Sequence, residues 1–453
     1  MGKKIKIMDI EIEKMEFPNF GLAYEDGNKI YAKNTLVGQK LQVRAVRRRR
    51  KIEATVLEIL QKAPNEIDPK CDKFGICGGC TFQNIPYDDE LVIKKEMVIS
   101  LLSKQGIENF EFLGIEGSKE IEGYRNKMEY SFGDEEKGGS LSLGMRKRNS
   151  FYEVVTAPHC NIVDEDYRIL LKEILAFFGD SEEEFYHKTR HVGTLRNIII
   201  RKGKHTGEIL INVVTTSELK ADLMELVHIV NNIKLTGKIV GILHTVNNAL
   251  SDAIICDEFK ILYGRDYFFE RLFNMEFKIS AFSFFQTNTL GAEQLYTTVK
   301  EFVGNTENLN IFDLYCGTGT IAQIVSQNAK KVIGVELVKE AVESAKQNAE
   351  RNGIKNCEFI AGDVLHVVHS LEDAPHTIIL DPPRDGVHQK ALDKILDFGA
   401  DKIVYISCKP TSLARDLQMC IDKGYEIKQI KLHDLFPRTY HVESVVLLSR
   451  KDG

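Results

Sequence analysis

DLYCGTGTIA, at residues 313–322, joins a short apolar strand to a helix. Gly317 and Gly319 in this stretch let the backbone approach a ligand closely, because neither carries a Cβ atom. The spacing G-x-G-x-x-A is a weak signal alone, since it also fits a dinucleotide-binding fold. Residues elsewhere in the sequence must distinguish a dinucleotide from other ligands of this loop.

Strict alternation of strands and helices surrounds this loop from about residue 290 onward. The apolar segments NIFDL, KVIGVE, CEFIAG, HTIILD and KIVYIS alternate with amphipathic helical segments, and two further strands end the chain. This rhythm predicts an α/β fold with a doubly wound, Rossmann-like parallel sheet in a C-terminal domain of residues 286–453. Ligands are expected beyond the carboxyl ends of its strands.

Acidic residues stand at those strand ends. Glu336 lies 17 residues beyond Gly319, where a carboxylate can accept hydrogen bonds from two ribose hydroxyls. Asp313 before the loop can face a cationic ligand, and Asp363 suits a position beside an adenine. In DPPR at 381–384, the two prolines fix a stiff turn and remove two backbone donors, which leaves carbonyls free to face a substrate. Together these features favour S-adenosylmethionine over NAD.

A cysteine and a carboxylate supply candidate catalytic groups. Cys408 in YISCKP ends the next strand, with Lys409 beside it to favour thiolate, although a lone strand-end cysteine is often buried filler. Addition of a thiolate to carbon 6 of uracil turns carbon 5 into a nucleophile, and a base must later remove the carbon 5 proton. In FPRTYHVESVVLL we assign Glu443 as that base, with His441 as its orienting neighbour.

Composition and charge add a polyanion partner to this expectation. The 453-residue chain has a net charge of −6, yet residues 1–62 hold 14 Lys and Arg against 8 Asp and Glu, a balance of +6. The run RRRRK at 47–51 and MRKR at 145–148 are basic patches, although such runs are often only solvated faces. The sequence shows no leader and no apolar run of membrane-spanning length, so we expect a cytoplasmic protein without membrane contact.

The front of the chain divides into two more domains. Residues 1–62 alternate in the manner of strands and predict a small β-barrel, and residues 63–285 predict a central α+β domain. CDKFGICGGC at 71–80 lies between them. Its clustered cysteines could be a disulfide remnant, a zinc site, a redox centre or an accident, and the odd total of nine argues against a disulfide framework.

With these residues assembled, the chain resembles the RNA uracil-5-methyltransferases, and within them the 23S rRNA branch that carries an iron–sulfur cluster. DLYCGTGT, the acid of GVE, DPPR, SCKP and HVES follow the family's order. The resemblance implies a class I methyltransferase sheet, a TRAM domain for RNA binding at residues 1–62, and a [4Fe–4S] cluster. Cys71, Cys77, Cys80 and the distant Cys160 would hold that cluster, with a four-cysteine zinc site as the alternative.

The resemblance also extends the cofactor site. It implies that S-adenosylmethionine contacts Gln286 of SAFSFFQTN and residues of the glycine loop and strand ends, which are Tyr315, Gly317, Thr320, Glu336, Asp363 and Asp381.

The resulting hypothesis is methyl transfer from S-adenosylmethionine to carbon 5 of one or two uridines in 23S rRNA, through a covalent bond to Cys408. No protein partner is evident. Alternatives are a tRNA uracil-5-methyltransferase, a non-catalytic RNA-binding or iron-sensing protein, and a dinucleotide oxidoreductase.

Overall fold

A computed structural model describes residues 5–48, 51–367 and 374–451. Two arginines of the basic run, Arg49 and Arg50, lie outside the described residues. Contacts between residues divide the chain into two units. The first unit contains residues 1–70, 80–117 and 382–453, and the second contains residues 71–79 and 118–381.

The strands, in chain order, are β1 (Ile5–Glu11), β2 (Lys14–Glu16), β3 (Phe20–Glu25), β4 (Asn28–Lys33), β5 (Lys40–Arg48), β6 (Lys51–Gln61), β7 (Glu111–Glu116), β8 (Lys127–Asp134), β9 (Leu141–Arg146), β10 (Val154–Val155), β11 (Leu195–Lys202), β12 (Glu208–Thr215), β13 (Lys238–Val246), β14 (Glu258–Gly264), β15 (Tyr267–Leu272), β16 (Met275–Ser280), β17 (Thr306–Leu314), β18 (Ala329–Glu336), β19 (Cys357–Ala361), β20 (Thr377–Leu380), β21 (Lys402–Ser407), β22 (Tyr425–His433) and β23 (Glu443–Arg450). The helices are α1 (Tyr87–Lys104), α2 (Glu165–Gly179), α3 (Leu223–Asn231), α4 (Thr289–Val303), α5 (Thr320–Val325), α6 (Lys339–Arg351), α7 (Val364–Val367), α8 (Gln389–Leu396) and α9 (Pro410–Asp422).

The first unit begins with a six-stranded sheet in the order β1-β5-β6-β4-β3-β2. Its strands alternate buried apolar and exposed polar residues, and the buried set forms a core around Ile30 and Leu41. Asp26 and Gly27, both at positive φ (48° and 75°), form the tight turn between β3 and β4 that such a pair favours. The predicted N-terminal β domain is therefore present.

The same unit contains a second sheet segment, in the order β21-β23-β22-β7. β23 runs antiparallel to both β21 and β22, whereas β7 is parallel to β22. Helix α1 packs in this unit, where Met97 joins Phe82, Ile85, Met15 and Leu36 in one apolar cluster. This cluster ties the N-terminal sheet to α1.

The second unit contains the central domain's sheet, in the order β10-β9-β8-β11-β12-β13-β14. Neighbouring strands are antiparallel except β12 and β13, which are parallel and connected by α3. Asp164 and Asp222 cap α2 and α3 by accepting backbone N–H bonds. Because Asp222 is the cap, α3 begins at Leu223.

The second unit also holds four parallel strands in the order β19-β18-β17-β20. β20 and the part of β17 that pairs with it are mostly apolar and wholly buried, as strands covered on both faces are. The predicted α/β class is confirmed, and antiparallel β23 makes the sheet mixed. Among the described residues, no helix is long and apolar enough to cross a membrane.

Candidate active site

The register of the four parallel strands brings the predicted cofactor residues to one edge. Leu314 lies beside Val335 on one side and Leu380 on the other, so Tyr315, Glu336 and Asp381 leave the sheet next to one another. β19 continues the row and leads to Asp363. The carboxyl ends of adjacent parallel strands form the ligand crevice of such sheets.

The glycine loop that follows β17 has the geometry of a ligand cradle. The backbone N–H of Gly317 donates to Oε2 of Glu336 at 3.1 Å. Gly317 lies at φ 54°, and a Cβ built on it would meet no atom within 4 Å. The same Cβ on Gly319 would lie 2.5 Å from the ring of Phe359. Gly319 is therefore required by packing, whereas Gly317 leaves open space above the loop.

Two acidic side chains at this edge already accept backbone hydrogen bonds. Besides the Gly317 bond, Glu336 accepts from the N–H of Val338 at 3.0 Å. Asp363 is exposed and accepts from the N–H of Leu365 at 2.9 Å. A carboxylate has about four lone-pair sites. Both side chains are thus oriented by the backbone and retain capacity for ligand hydroxyls.

Two further carboxyls at this edge have raised pKa values: Asp313 is buried and Asp381 is half-buried. Burial raises the pKa of Asp313 to about 8, and the neighbouring Asp381 and Glu336 add to the shift. One oxygen of Asp313 accepts from the N–H of Ala322 at 2.9 Å, while Oδ1 is buried without a partner. Burial also raises the pKa of Asp381 to about 7. A cation placed beside this pair would favour their ionisation.

Gln286 and Thr320, two further predicted cofactor residues, lie in the second unit. The carbonyl of Gln286 accepts from the side-chain amide of Asn126 at 3.1 Å, and Asn126 also donates to Thr289 at 2.8 Å. Thr320 is buried at the start of α5. Asn126 thus orients the loop that carries Gln286, a role that its sequence context did not signal.

Cys408 lies in the first unit, immediately after β21 and two residues before α9. It is partly exposed. The N-terminus of a 13-residue helix favours negative charge at this position. The backbone N–H of Lys409 donates to the hydroxyl of Ser407 at 3.2 Å. The side-chain ammonium of Lys409 lies 3.4 Å from a carboxylate oxygen of Asp385.

The loop after the two prolines is fixed to α9 by buried polar contacts. Ser412 donates to the carbonyl of Arg384 at 2.9 Å. Asp416 accepts from Tyr405 at 2.6 Å and from the N–H of Val387 at 2.8 Å. Arg415 also donates to the carbonyl of Asp385 at 2.8 Å. Sequence reasoning missed these contacts because Ser412, Arg415 and Asp416 look like ordinary helix positions.

Glu443 and Cys408 lie at the same end of the antiparallel pair β21–β23. Ser407, the last residue of β21, is paired with Ser444, so Cys408 follows and Glu443 precedes the last pair of this register. Glu443 is only 5 % exposed. A thiol and a sheltered carboxyl are thus placed at one end of the same strand pair.

His441 is the predicted orienting neighbour of Glu443. It lies two residues before β23, where its ring packs on Tyr440 with centroids 4.4 Å apart. His433, at the end of β22, is the residue paired with Glu443 in the sheet. Burial lowers the pKa of His433 to about 4 despite the nearby Glu116.

A buried ion network fixes the segment that leads to Glu443. Lys94 lies 2.8 Å from both Glu90 and Asp434, and all three side chains are fully buried. Burial raises the pKa of Glu90 to about 7. Glu90 also accepts from the N–H of Arg438 at 2.7 Å, and the hydroxyl of Tyr87 donates to Asp434 at 2.9 Å. The i, i+4 spacing of Glu90 and Lys94 was the available sequence signal, but it usually marks an exposed pair.

Arg438 connects this network to the residues that follow the cysteine segment, residues 71–80. It adopts a left-handed φ of 70°, and its carbonyl accepts from the N–H groups of Thr81 at 2.7 Å and Phe82 at 3.0 Å. Its guanidinium donates to the carbonyl of Ile85 at 2.9 Å. The backbone that follows Cys80 is thereby anchored to the approach of β23.

Three of the predicted cluster cysteines interact within the second unit. Burial raises the pKa of Cys160 to about 11, the backbone N–H of Ile162 opposes the shift, and Cys71 and Cys77 add to it. The sulfur of Cys77 accepts from the N–H of Gly79 at 3.4 Å. Cys80, in the first unit, accepts from the side-chain amide of Gln83 at 3.6 Å. Backbone and amide donors aimed at sulfur suit bound thiolates.

The described residues contain no group of three or more His, Cys, Asp or Glu side chains arranged to hold a metal ion. A [4Fe–4S] cube takes one thiolate on each of four irons, so its ligands need not converge on one centre. The thiols of the four predicted cysteines are the donor type that such a cluster takes.

The fold and the strand-end residues define a class I methyltransferase. A family model described as tRNA (Uracil-5-)-methyltransferase matches residues 255–451. The crystal structure of the Pyrococcus abyssi tRNA (uracil-54, C5)-methyltransferase in complex with S-adenosyl-L-homocysteine superposes with a TM-score of 0.77 at 26% identity, covering 97% of this chain and 100% of that one.

Two curated relatives match end to end. An uncharacterized RNA methyltransferase of Clostridium acetobutylicum is 49% identical and one of Clostridium tetani is 48% identical, each over 99% of both chains. The chain belongs to the RNA methyltransferases, and its C-terminal part matches the uracil-5-methyltransferase family model.

Proposed function

We propose that this protein transfers a methyl group from S-adenosylmethionine to carbon 5 of a uridine in 23S rRNA. The observation that supports this most directly is the register of β21 and β23, which brings Cys408 and Glu443 to the same end of one strand pair. A nucleophile and a sheltered base at one site are what substitution at a weakly nucleophilic ring carbon requires.

In the proposed reaction, the Cys408 thiolate adds to carbon 6 of a uracil that has left its stack. Carbon 5 becomes an enolate carbon and attacks the methyl group, so the sulfonium–methyl bond breaks and S-adenosylhomocysteine forms. Glu443 then removes the proton from carbon 5. The electron pair of that C–H bond restores the ring double bond and expels the thiolate.

The methyl donor is proposed to bind at the carboxyl edge of the parallel strands. The open space at Gly317 and the orienting bonds of Glu336 and Asp363 support this location. Gln286, Tyr315, Thr320 and Asp381 complete the proposed site. The Pyrococcus abyssi relative holds S-adenosyl-L-homocysteine, the demethylated form of the same ligand.

Two RNA substrates compete in this proposal. The basic N-terminal β domain and the clustered cysteines favour 23S rRNA, because together they resemble that branch of the family. The Pyrococcus abyssi relative is named for uracil-54 of tRNA, which favours the second substrate. The chemistry at Cys408 is the same for both.

The proposed [4Fe–4S] cluster is held by Cys71, Cys77, Cys80 and Cys160. Bound there, it would join the cysteine segment to the chain near residue 160, and it would supply no electrons to methyl transfer. Iron and sulfide analysis of anaerobically purified protein tests this, with Cys160→Ser expected to lose both and Cys256→Ser, at an exposed cysteine elsewhere, expected to keep both. Zinc without sulfide in the wild-type protein would overturn the cluster.

The deciding experiment maps methyl groups by mass spectrometry. The protein is incubated with labelled S-adenosylmethionine and a mixture of unmodified 23S rRNA and tRNA. Label on carbon 5 of uridine in 23S rRNA is expected. Label in tRNA alone would keep the reaction and reject the substrate, and label in neither would favour a non-catalytic RNA-binding protein.

Two variants test the proposed roles. Cys408→Ala is expected to abolish turnover while leaving S-adenosylmethionine binding intact, because the sulfur acts on the RNA. Glu443→Gln is expected to accumulate a covalent protein–RNA adduct, visible as a shifted band on a denaturing gel, since proton removal must precede thiolate release. Full turnover by either variant would reject its assigned role.

A further inference from the structure

Four ring side chains form a row on the surface of the second unit, here called the aromatic row: Phe151, Tyr152, His187 and Phe185. The planes of Tyr152 and His187 are tilted by only 19° with centroids 6.4 Å apart, and those of His187 and Phe185 by 25° at 6.3 Å. Phe151 meets Tyr152 edge-on at 5.4 Å. Phe151 is 67% exposed and Tyr152 is 51% exposed. Large rings thus face water where burial would have been favourable.

Two hydrogen-bonded turns hold these rings in place. In the first, the hydroxyl of Ser150 accepts from the N–H groups of Tyr152 at 3.4 Å and Glu153 at 3.1 Å. In the second, the N–H of His187 donates to the carbonyl of Val192 at 2.7 Å. Ring nitrogen Nδ1 of His187 pairs with the hydroxyl of Thr189 at 3.1 Å. The row is therefore set before any partner arrives.

Cations flank the row on both turns. Residues 146–148 are Arg-Lys-Arg, the second turn carries Lys188 and Arg190, and neither RKRNSFY (146–152) nor FYHKTRHV (185–192) contains an acid. The guanidinium of Arg146 lies 5.9 Å from the centre of the Phe151 ring.

Carboxylates from neighbouring elements offset part of this charge. Asp252 pairs with Arg146 at 3.1 Å and with Lys188, and Glu153 pairs with Lys147 at 3.4 Å. Glu182 and Glu184 are also exposed, immediately before Phe185, so the five cations of the two turns stand against four carboxylates.

From this combination we infer that the aromatic row binds single-stranded RNA, with bases stacked on the rings and phosphates paired with the flanking cations. Every base has a π-face that can stack on an aromatic side chain. Exposed rings between cations therefore bind unpaired strands with little sequence preference. The inference rests on the proposed function for its RNA partner, and it adds a second RNA grip apart from the residues assigned to the reaction.

A fluorescence titration with labelled oligouridylate tests the row on the full-length protein. Tyr152→Ala is expected to weaken binding by about tenfold, the loss typical of one stacked base. Tyr152→Phe keeps the ring and is expected to bind as the wild type does. Tyr263→Ala, which removes an exposed tyrosine from β14 of the same unit, is the matched control and is expected to have no effect.

Three outcomes would overturn the inference. They are wild-type affinity in Tyr152→Ala, an equal loss in Tyr263→Ala, and equal affinity of the wild type for the oligonucleotide and its duplex. A wild-type dimer that dissociates in Tyr152→Ala would show that the row covers a second copy instead, and would also overturn it.

Methyl-transfer kinetics separate this inference from the proposed function. Tyr152→Ala is expected to raise KM for RNA while leaving kcat and S-adenosylmethionine binding unchanged. Normal RNA binding through the row without methyl transfer would reject only the proposed function and would leave the inference about the aromatic row intact. Wild-type KM for RNA in Tyr152→Ala would reject the row alone.

Discussion

Asp313 is a carboxylic acid that the fold removes from water and leaves with one unpaired oxygen. Its pKa is raised to about 8, so between about pH 4 and pH 8 the folded protein holds a proton that the unfolded chain has lost. The stability linked to this group is therefore fully present at low pH and is lost as the pH rises through 8.

Asp313→Asn is expected to reduce this loss, because the amide keeps the bond to Ala322 and cannot ionise. Urea unfolding between pH 5 and pH 8.5 measures it, and the free energy of unfolding should fall less steeply in the variant. Asp381→Asn should act in the same direction, since burial raises its pKa to about 7. Glu343→Gln, on the exposed face of α6, should leave the slope unchanged, and equal slopes in all four proteins would contradict the assignment.

At the scale of elements, the strand–loop–helix unit around β17 requires its two glycines for different reasons. Gly319→Ala would drive a Cβ into Phe359 and Ala345 at a φ of 72°. Gly317→Ala has a comparable left-handed strain at 54° but open space around it. We expect Gly319→Ala to lower the free energy of unfolding by about 1–3 kcal/mol more than Gly317→Ala, which is the cost of overpacking.

Cofactor binding should be weakened more in Gly317→Ala than in Gly319→Ala, which is the reverse of the order expected for stability. Calorimetric titration with S-adenosylmethionine is expected to show weaker binding for Gly317→Ala, because the methyl group occupies the proposed ligand space. Unchanged affinity in Gly317→Ala would place the ligand elsewhere.

The joint between α1 and the approach to β23 depends on one buried lysine. Lys94→Met would leave Glu90 and Asp434 buried without their shared cation, so we expect a loss of about 3–5 kcal/mol in the free energy of unfolding. Urea denaturation measures this loss. Lys95→Met, one position along the same helix, should change stability by less than about 0.5 kcal/mol. A small effect at Lys94 would mean that the network is dispensable.

At the scale of the whole molecule, the uneven charge predicts how RNA affinity depends on salt. Arg44 and Arg47 are exposed on β5 of the basic N-terminal sheet. Changing both to glutamine should reduce the slope of log affinity against log salt by about one for each phosphate that the arginines had neutralised, whatever the RNA sequence. Lys172→Gln, on α2, is the control and should leave the slope unchanged.

Substitution is a cleaner test of the N-terminal sheet than deletion. Removing residues 1–62 would strip Met15 and Leu36 from the apolar cluster that contains Met97 of α1. Weaker RNA binding in such a truncation could then reflect a damaged core. An unchanged salt slope in the Arg44 and Arg47 double variant would argue against an RNA grip on this sheet.

The local elements were largely predictable from the sequence. The segments NIFDL, KVIGVE and HTIILD appear as β17, β18 and β20 with small changes at their ends, because short apolar runs between amphipathic helices report burial on both faces. The same alternation predicted which residues stand at strand carboxyl ends, including Glu336, whose side chain binds Gly317. β7 was missed, because a six-residue strand that pairs with β22 far along the chain has no local signature.

What the sequence by itself determined is the class of fold and the set of chemical groups at its crevice, since periodicity and spacing act over a few residues. Tertiary structure alone decided which groups meet. Cys408 and Glu443 come to the same end of one strand pair only because β23 pairs antiparallel with β21, and Arg438 reaches Glu90 across most of the chain. The protonated state of Asp313 likewise follows from desolvation by the assembled fold, which no stretch of residues encodes alone.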